Sequence, residues 1–149
     1  MTPDIYRQLQ KQLDHYSMGF PATESGIELK ILKYLFSEAD AAMFTVLPQT
    51  LETPQNVAAR LNRPVADIAT QLDEMAEKGL LFRLKKGTDS RYGAISFVHG
   101  IFEFQVKNLK SDLAKMVRRY FDEAFDKAMQ ASADYFLRII PVEESIDVN

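Results

Sequence analysis

The chain has 149 residues, 46% of them hydrophobic and 26% charged, with a formal net charge of −3 and no cysteine. That length suits one domain, or one domain with appended helices, burying roughly two-thirds of the unfolded chain's surface. Without cysteine the chain has no disulfides, no thiol catalysis and no thiolate-held metal or iron–sulfur cluster of its own, and its acidic balance does not suggest a strong nucleic-acid binder.

The first residues carry no basic or apolar targeting pattern, and no apolar run reaches membrane-spanning length. A cytoplasmic protein with no membrane partner is expected. Ile5, Leu9, Leu13 and Tyr16 lie on one face of an amphipathic helix from Asp4 to Tyr16. Met18 to Thr23 breaks the periodicity and reads as a linker. Ser25 with Glu28 three residues on is a capping-box pattern, opening an apolar helix through Leu29, Ile31, Leu32, Leu35 and Phe36. Ser37 caps a short helix from Glu38 to about Phe44, and Thr45 to Leu47 is a candidate third strand for a small sheet.

Thr53 to Phe97 then reads as one unit. Thr53 can cap a helix with Pro54 at its first position, and Val57, Ala58 and Leu61 form its stripe. Asn62-Arg63-Pro64 breaks that helix and starts a second, with Pro64 at the first position and Val65, Ile68, Ala69, Leu72, Met75 and Ala76 at helical spacing. Gly79 is placed to end it. Leu80 to Leu84 and Arg91 to Phe97 read as two strands joined by the polar stretch Lys85 to Ser90. Val98 to Gly100 is a hinge-like break, followed by a long helix, with a bend near Asn108, through Phe102, Val106, Leu109, Leu113, Met116, Tyr120 and Ala124. Val117, Phe121, Phe125 and Ala128 line an adjacent stripe; Tyr135 to Val142 reads as extended, with a polar tail behind it. The expected fold is mainly α (α+β): an N-terminal helix and linker (1–24), a winged helix–turn–helix (25–98), a C-terminal helical extension (99–134) and an extended tail (135–149).

Catalysis finds no support. His15 and His99 are the only histidines, neither in a ligand or triad pattern, and there is no phosphate loop, dinucleotide fingerprint or nucleophile elbow. Candidate DNA or phosphate contacts are Arg60, Arg63, Thr70, Gln71, Arg83, Lys85, Lys86 and Arg91. Against DNA stands the second helix itself: between Pro64 and Lys78, Asp67, Asp73, Glu74 and Glu77 face a single Lys78, an acidity that opposes docking on phosphate. A solvated hairpin is the plainer reading of the basic wing. The apolar outer helices offer Ile5, Leu9, Leu13, Phe102, Val106, Leu109, Leu113, Met116, Tyr120, Phe121 and Phe125, either as packing on the winged core or as a homodimer or interdomain interface.

Gly26 to Leu32, Phe36-Ser37-Glu38, Met75 to Phe82 and above all Gly100 to Val106 together resemble the N-terminal winged-helix region of ferredoxin-type proteins of anaerobic bacteria and archaea, in which 4Fe–4S motifs follow. Leu137 to Glu144 is similar to the connector into that cluster-binding half. The resemblance implies a non-enzymatic interaction or accessory domain of an iron–sulfur electron-transfer protein, cut near Asn149, whose partner is a protein or its own cluster-bearing C-terminal half. The cluster is implied only for that missing part; with no cysteine, no ligand transfers to this chain and no cofactor is expected in it. The alternative is a winged-helix DNA-binding transcriptional regulator.

Overall fold

The computed structural model describes residues 4–16, 19–106 and 109–124. Helix α1, Ile5–Asp14, is capped by the Asp4 carboxylate, which accepts from the Tyr6 amide at 3.0 Å. It packs on α2 (Ile27–Leu35) and α3 (Glu38–Thr45), and α2 also carries α7 (Ser111–Ala124). Polar tethers fix α1 along its length. The Tyr6 hydroxyl donates to the Phe36 carbonyl (2.8 Å), Gln10 to that of Phe20 (2.8 Å) and Gln12 to that of Phe44 (3.1 Å).

The cap of α2 departs from the expected capping box. Gly26, at φ +74°, occupies the cap, while Glu28 turns back past Ser25 to accept from the Thr23 amide at 3.1 Å and from Arg7 at 3.1 Å. Glycine at the cap has no side chain to offer, and the Ser25 hydroxyl accepts from the Ile27 amide at 3.3 Å beside its contact with the Thr23 hydroxyl. Ser37 does cap α3 as expected, accepting from the Asp40 amide at 3.1 Å. That helix runs through Thr45, so Thr45 to Leu47 is not a strand. The third strand position is Glu52, which exchanges both backbone hydrogen bonds with Tyr92 (2.9 and 2.8 Å).

Helix α4, Pro54–Leu61, begins as expected, with Thr53 accepting from the Asn56 amide at 3.2 Å. Asn62 ends it in the left-handed region at φ +55°. Pro64 is the cap of α5 (Val65–Glu77) rather than its first helical residue, because its ψ of 135° is extended. Ile68, Leu72 and Met75 face the core, but Val65, expected there too, is 42% exposed: as the first residue of α5 it borders the open elbow groove with Ala58, Ala59 and Pro64 instead of the core. The wing pairs β1 (Phe82–Lys86) with β2 (Asp89–Gly93) in antiparallel register, Lys86 opposite Asp89, across a two-residue turn at Gly87-Thr88. Both strands are shifted from their expected spans: Leu80 and Leu81 are buried before the hairpin, and Lys85, Lys86, Asp89 and Ser90 pair rather than loop.

The hinge expected at Val98 to Gly100 is a single π-helical turn, Phe97–Ile101, running directly into α6 (Phe102–Gln105). The wider turn lets Phe97, Val98, Ile101 and Phe102 all enter the core. The long helix is therefore divided into α6 and α7; Asn108, Phe125, Ala128 and Tyr135 to Val142 lie outside the described residues. Among the described residues no helix is long and apolar enough to cross a membrane. The element order α2–α3–α4–α5–β1–β2, with Glu52 beside the hairpin, is a winged helix–turn–helix with helical extensions at both ends.

Two left-handed glycines separate strain from packing. A Cβ on Gly26 meets nothing within 4 Å, whereas on Gly79, at φ +79°, it stands 2.5 Å from the Phe104 Cβ. Gly26→Ala is expected to cost about 1 kcal/mol, the left-handed penalty alone, and Gly79→Ala at least about twice that. Equal shifts in the urea midpoint for the two would show that α6 yields freely.

Candidate nucleic-acid interface

The exposed side of the helix–turn–helix is built from the first two turns of α5, the elbow before them and the wing beside them. Arg63, Val65, Ala66, Asp67 and Thr70 are exposed, and Ala69 is half-buried. Lys85 and Lys86 project from the wing. Successive strand residues point to opposite faces, so Arg83 and Lys85 share one face of β1 and Lys86 the other.

The other candidate cations are held within the chain. Arg60 donates to the Val46 carbonyl at 2.6 Å and pairs with Glu52 at 2.5 Å. Arg91 pairs with Asp89 at 3.3 Å. Arg83 pairs with Asp73 at 3.2 Å, and Lys78 with Asp40 at 3.1 Å. Gln71, a candidate base contact, instead donates to the Ala39 carbonyl at 3.1 Å. Of the candidate cations, Arg63, Lys85 and Lys86 make no ion pair among the described residues.

The acidity of α5 also changes meaning in three dimensions. Asp73, Glu74 and Glu77 belong to its second half, beyond the turns that a recognition helix presents to base edges. Asp73 also accepts a short hydrogen bond from the Tyr92 hydroxyl. That bond holds its carboxyl below the usual carboxylate range against the opposing effect of burial, with Arg83 and the charge of Lys85 adding to it. Burial and the same carboxylate push the Tyr92 phenol up to about 12. Asp73, Arg83 and Tyr92 thus join α5 to both strands of the wing and set the hairpin's angle on the helix. Neither Asp73 nor Tyr92 was a candidate from sequence; their one sequence signal is the alternation that puts Tyr92 opposite Arg83 in the hairpin.

The outer-helix candidates are largely core. Leu9, Leu13, Phe102, Leu113, Tyr120 and Phe121 are buried within the chain, while Ile5, Val106, Leu109 and Met116 are half-buried against it. Among the described residues no group of three or more His, Asp or Glu side chains could hold a metal ion. His15 lies against the Lys11 carbonyl, at 2.6 Å, as a helix-end residue.

No protein-family model and no curated protein matches the chain. Among solved structures it is similar to a transcriptional regulator, at 13% identity over 95% of each chain with a TM-score of 0.42. It is also similar to AbsC, a MarR family transcriptional regulator from Streptomyces coelicolor, at 16% identity over 97% of this chain and 88% of that one, with a TM-score of 0.35. The oxidized form of MarR from E. coli is similar at 16% identity, over 94% of this chain and 95% of that one, with a TM-score of 0.35.

The Tyr92–Asp73 bond makes stability depend on pH at the alkaline end. A phenol whose folded pKa is raised from 10.0 to about 12 contributes stability that is complete below pH 10 and lost as pH rises towards 12. Tyr92→Phe is expected to cost about 1 kcal/mol at neutral pH, the low end for a bond to a carboxylate that Arg83 still pairs and water partly reaches. It should also make the alkaline fall shallower, with the part due to buried Tyr120, raised chiefly by burial, remaining. Urea melts from neutral pH upward test this; parallel alkaline slopes for wild type and variant would refute it.

Proposed function

We propose that the protein is a winged-helix DNA-binding regulator, with α5 entering the major groove and the wing lysines on phosphate. The observation that carries the reading is the sorting of charge around α5. The acid nearest the wing, Asp73, is taken up by Arg83 and Tyr92, while Arg63, Lys85 and Lys86 make no ion pair among the described residues and lie exposed, as do the first turns of α5. An exposed recognition surface flanked by cations is what docking on a duplex requires. Two copies joined through their extension helices would set two such surfaces on one duplex, each reading a half-site.

The iron–sulfur accessory role implied by the family resemblance makes the opposite prediction, a helix–turn–helix with no affinity for duplex. Fluorescence anisotropy of labelled random-sequence duplex at low and then moderate salt separates the two. The regulator reading expects binding that weakens steeply with salt. Replacing Lys85 and Lys86 with Ala should weaken it on every sequence and reduce the slope of log K against log salt by about 1 per lysine. No binding at low salt would overturn the regulator reading in favour of a protein-docking surface.

A further inference from the structure

Which duplex the surface reads follows from what α5 presents, given the DNA-binding reading above. A recognition helix specifies guanine with Arg or Lys held bidentate on O6 and N7, and adenine with Asn or Gln on N6 and N7. The exposed face of the first two turns has none of these. It carries Val65, Ala66, Asp67 and Thr70, with Ala69 half-buried between them. The one amide on the helix, Gln71, is bound to the Ala39 carbonyl at 3.1 Å, and its one lysine-bearing end, Lys78, is bound to Asp40 at 3.1 Å. Arg63 stands before the helix, ahead of its Pro64 cap, and is not on its exposed face.

What remains is apolar and acidic. Val65 is a large side chain left 42% exposed at the tip of the helix, on a groove of about 460 Å³ at the elbow where Ala58, Ala59 and Pro64 stand beside Gln55, Asn62 and Arg63 of α4 and the turn. The base edge that offers such a surface a partner is thymine, whose C5 methyl projects into the major groove. Val65 to Thr70 spans about 7.5 Å of helix, the length of roughly two base-pair steps. Asp67 acts in the same direction: its carboxylate repels the O6 and N7 acceptors of guanine, and the base donor it suits is the N4 amino group of cytosine. We propose that this protein selects its site through thymine methyl groups met by Val65, Ala66 and the Thr70 methyl, rather than through guanine edges met by arginine.

The test alters the DNA first and the protein second. A bound duplex is selected from a random-sequence library at moderate salt, and each thymine is then replaced by deoxyuridine, which pairs identically but lacks the methyl. At about two or three positions the loss of one methyl should weaken binding roughly two- to fourfold, the scale of one buried methyl group, with other positions unaffected. Val65→Ala should bind the thymine and uracil duplexes at its position with nearly equal affinity. Uniform affinity of the wild type for every deoxyuridine duplex would overturn the proposal while leaving DNA binding standing. So would a selected site defined by guanines whose preference relaxes in Arg63→Ala. Retention of no duplex at low salt would overturn the DNA-binding reading and this inference with it.

Discussion

Phe20 is the residue on which the arrangement of helices depends. It lies in the connector between α1 and α2, with no exposed surface, its ring 4.5 Å from that of Phe97 and 4.8 Å from that of Tyr120. Those contacts bring together the connector, the π-helical turn after the wing and the C-terminal helix α7. The backbone is held from both sides: Gln10 of α1 donates to the Phe20 carbonyl and Tyr120 of α7 to that of Pro21, each at 2.8 Å. Buried aromatic pairs add about 0.5–1.5 kcal/mol each beyond their area. The cluster extends through Phe102 and Phe121, whose rings meet edge to face at 6.1 Å. The two extensions are thus parts of the winged domain's core, with α2 held between α1 and α7.

On the opposite side the packing gives way to charge. Asp73 receives Tyr92 from β2 and Arg83 from β1, and Tyr92 in turn exchanges backbone hydrogen bonds with Glu52, whose carboxylate holds Arg60 of α4. One connected set of polar contacts therefore runs through α4, the Glu52 strand, both wing strands and α5. A hairpin of five-residue strands is marginal alone, and here its tilt is fixed by groups whose loss would leave a carboxylate near the recognition face without its partners.

Much of this was legible in the sequence because it is local. Thr53 and Ser37 cap the helices they were expected to cap, and Gly79 terminates α5 at positive φ. The departures arise where a residue's role is decided at a distance. Phe20 read as linker because it breaks the helical period, yet an aromatic between Gly19 and Pro21 is buried by partners some 77 and 100 residues away along the chain. Val65 fits the helical stripe by spacing, but as the first residue of α5 it borders the elbow groove instead of the core. Glu28 matched the capping box with Ser25 and instead answers Arg7 and Thr23. The net acidity of α5 was read correctly as a count, but a count does not say that one acid is bound to the wing and that most of them lie at the far end.

The distribution of arginine and lysine follows one physical rule. Arginine's planar fork suits fixed pairing with carboxylates and carbonyls, and Arg7, Arg60, Arg83 and Arg91 are all held this way inside the chain. The candidate charges left without an ion pair are two lysines and Arg63, on a molecule whose net charge is −3. If the proposed DNA binding holds, three phosphate contacts on an acidic protein would give weak, salt-sensitive attraction to arbitrary duplex. What separates a true site from the background is the ratio of specific to non-specific affinity, and keeping the second term small raises that ratio. On the proposed reading, an acidic winged helix with three unpaired candidate cations and with Val65 and Ala66 exposed on α5 draws its selectivity from base edges rather than from the backbone.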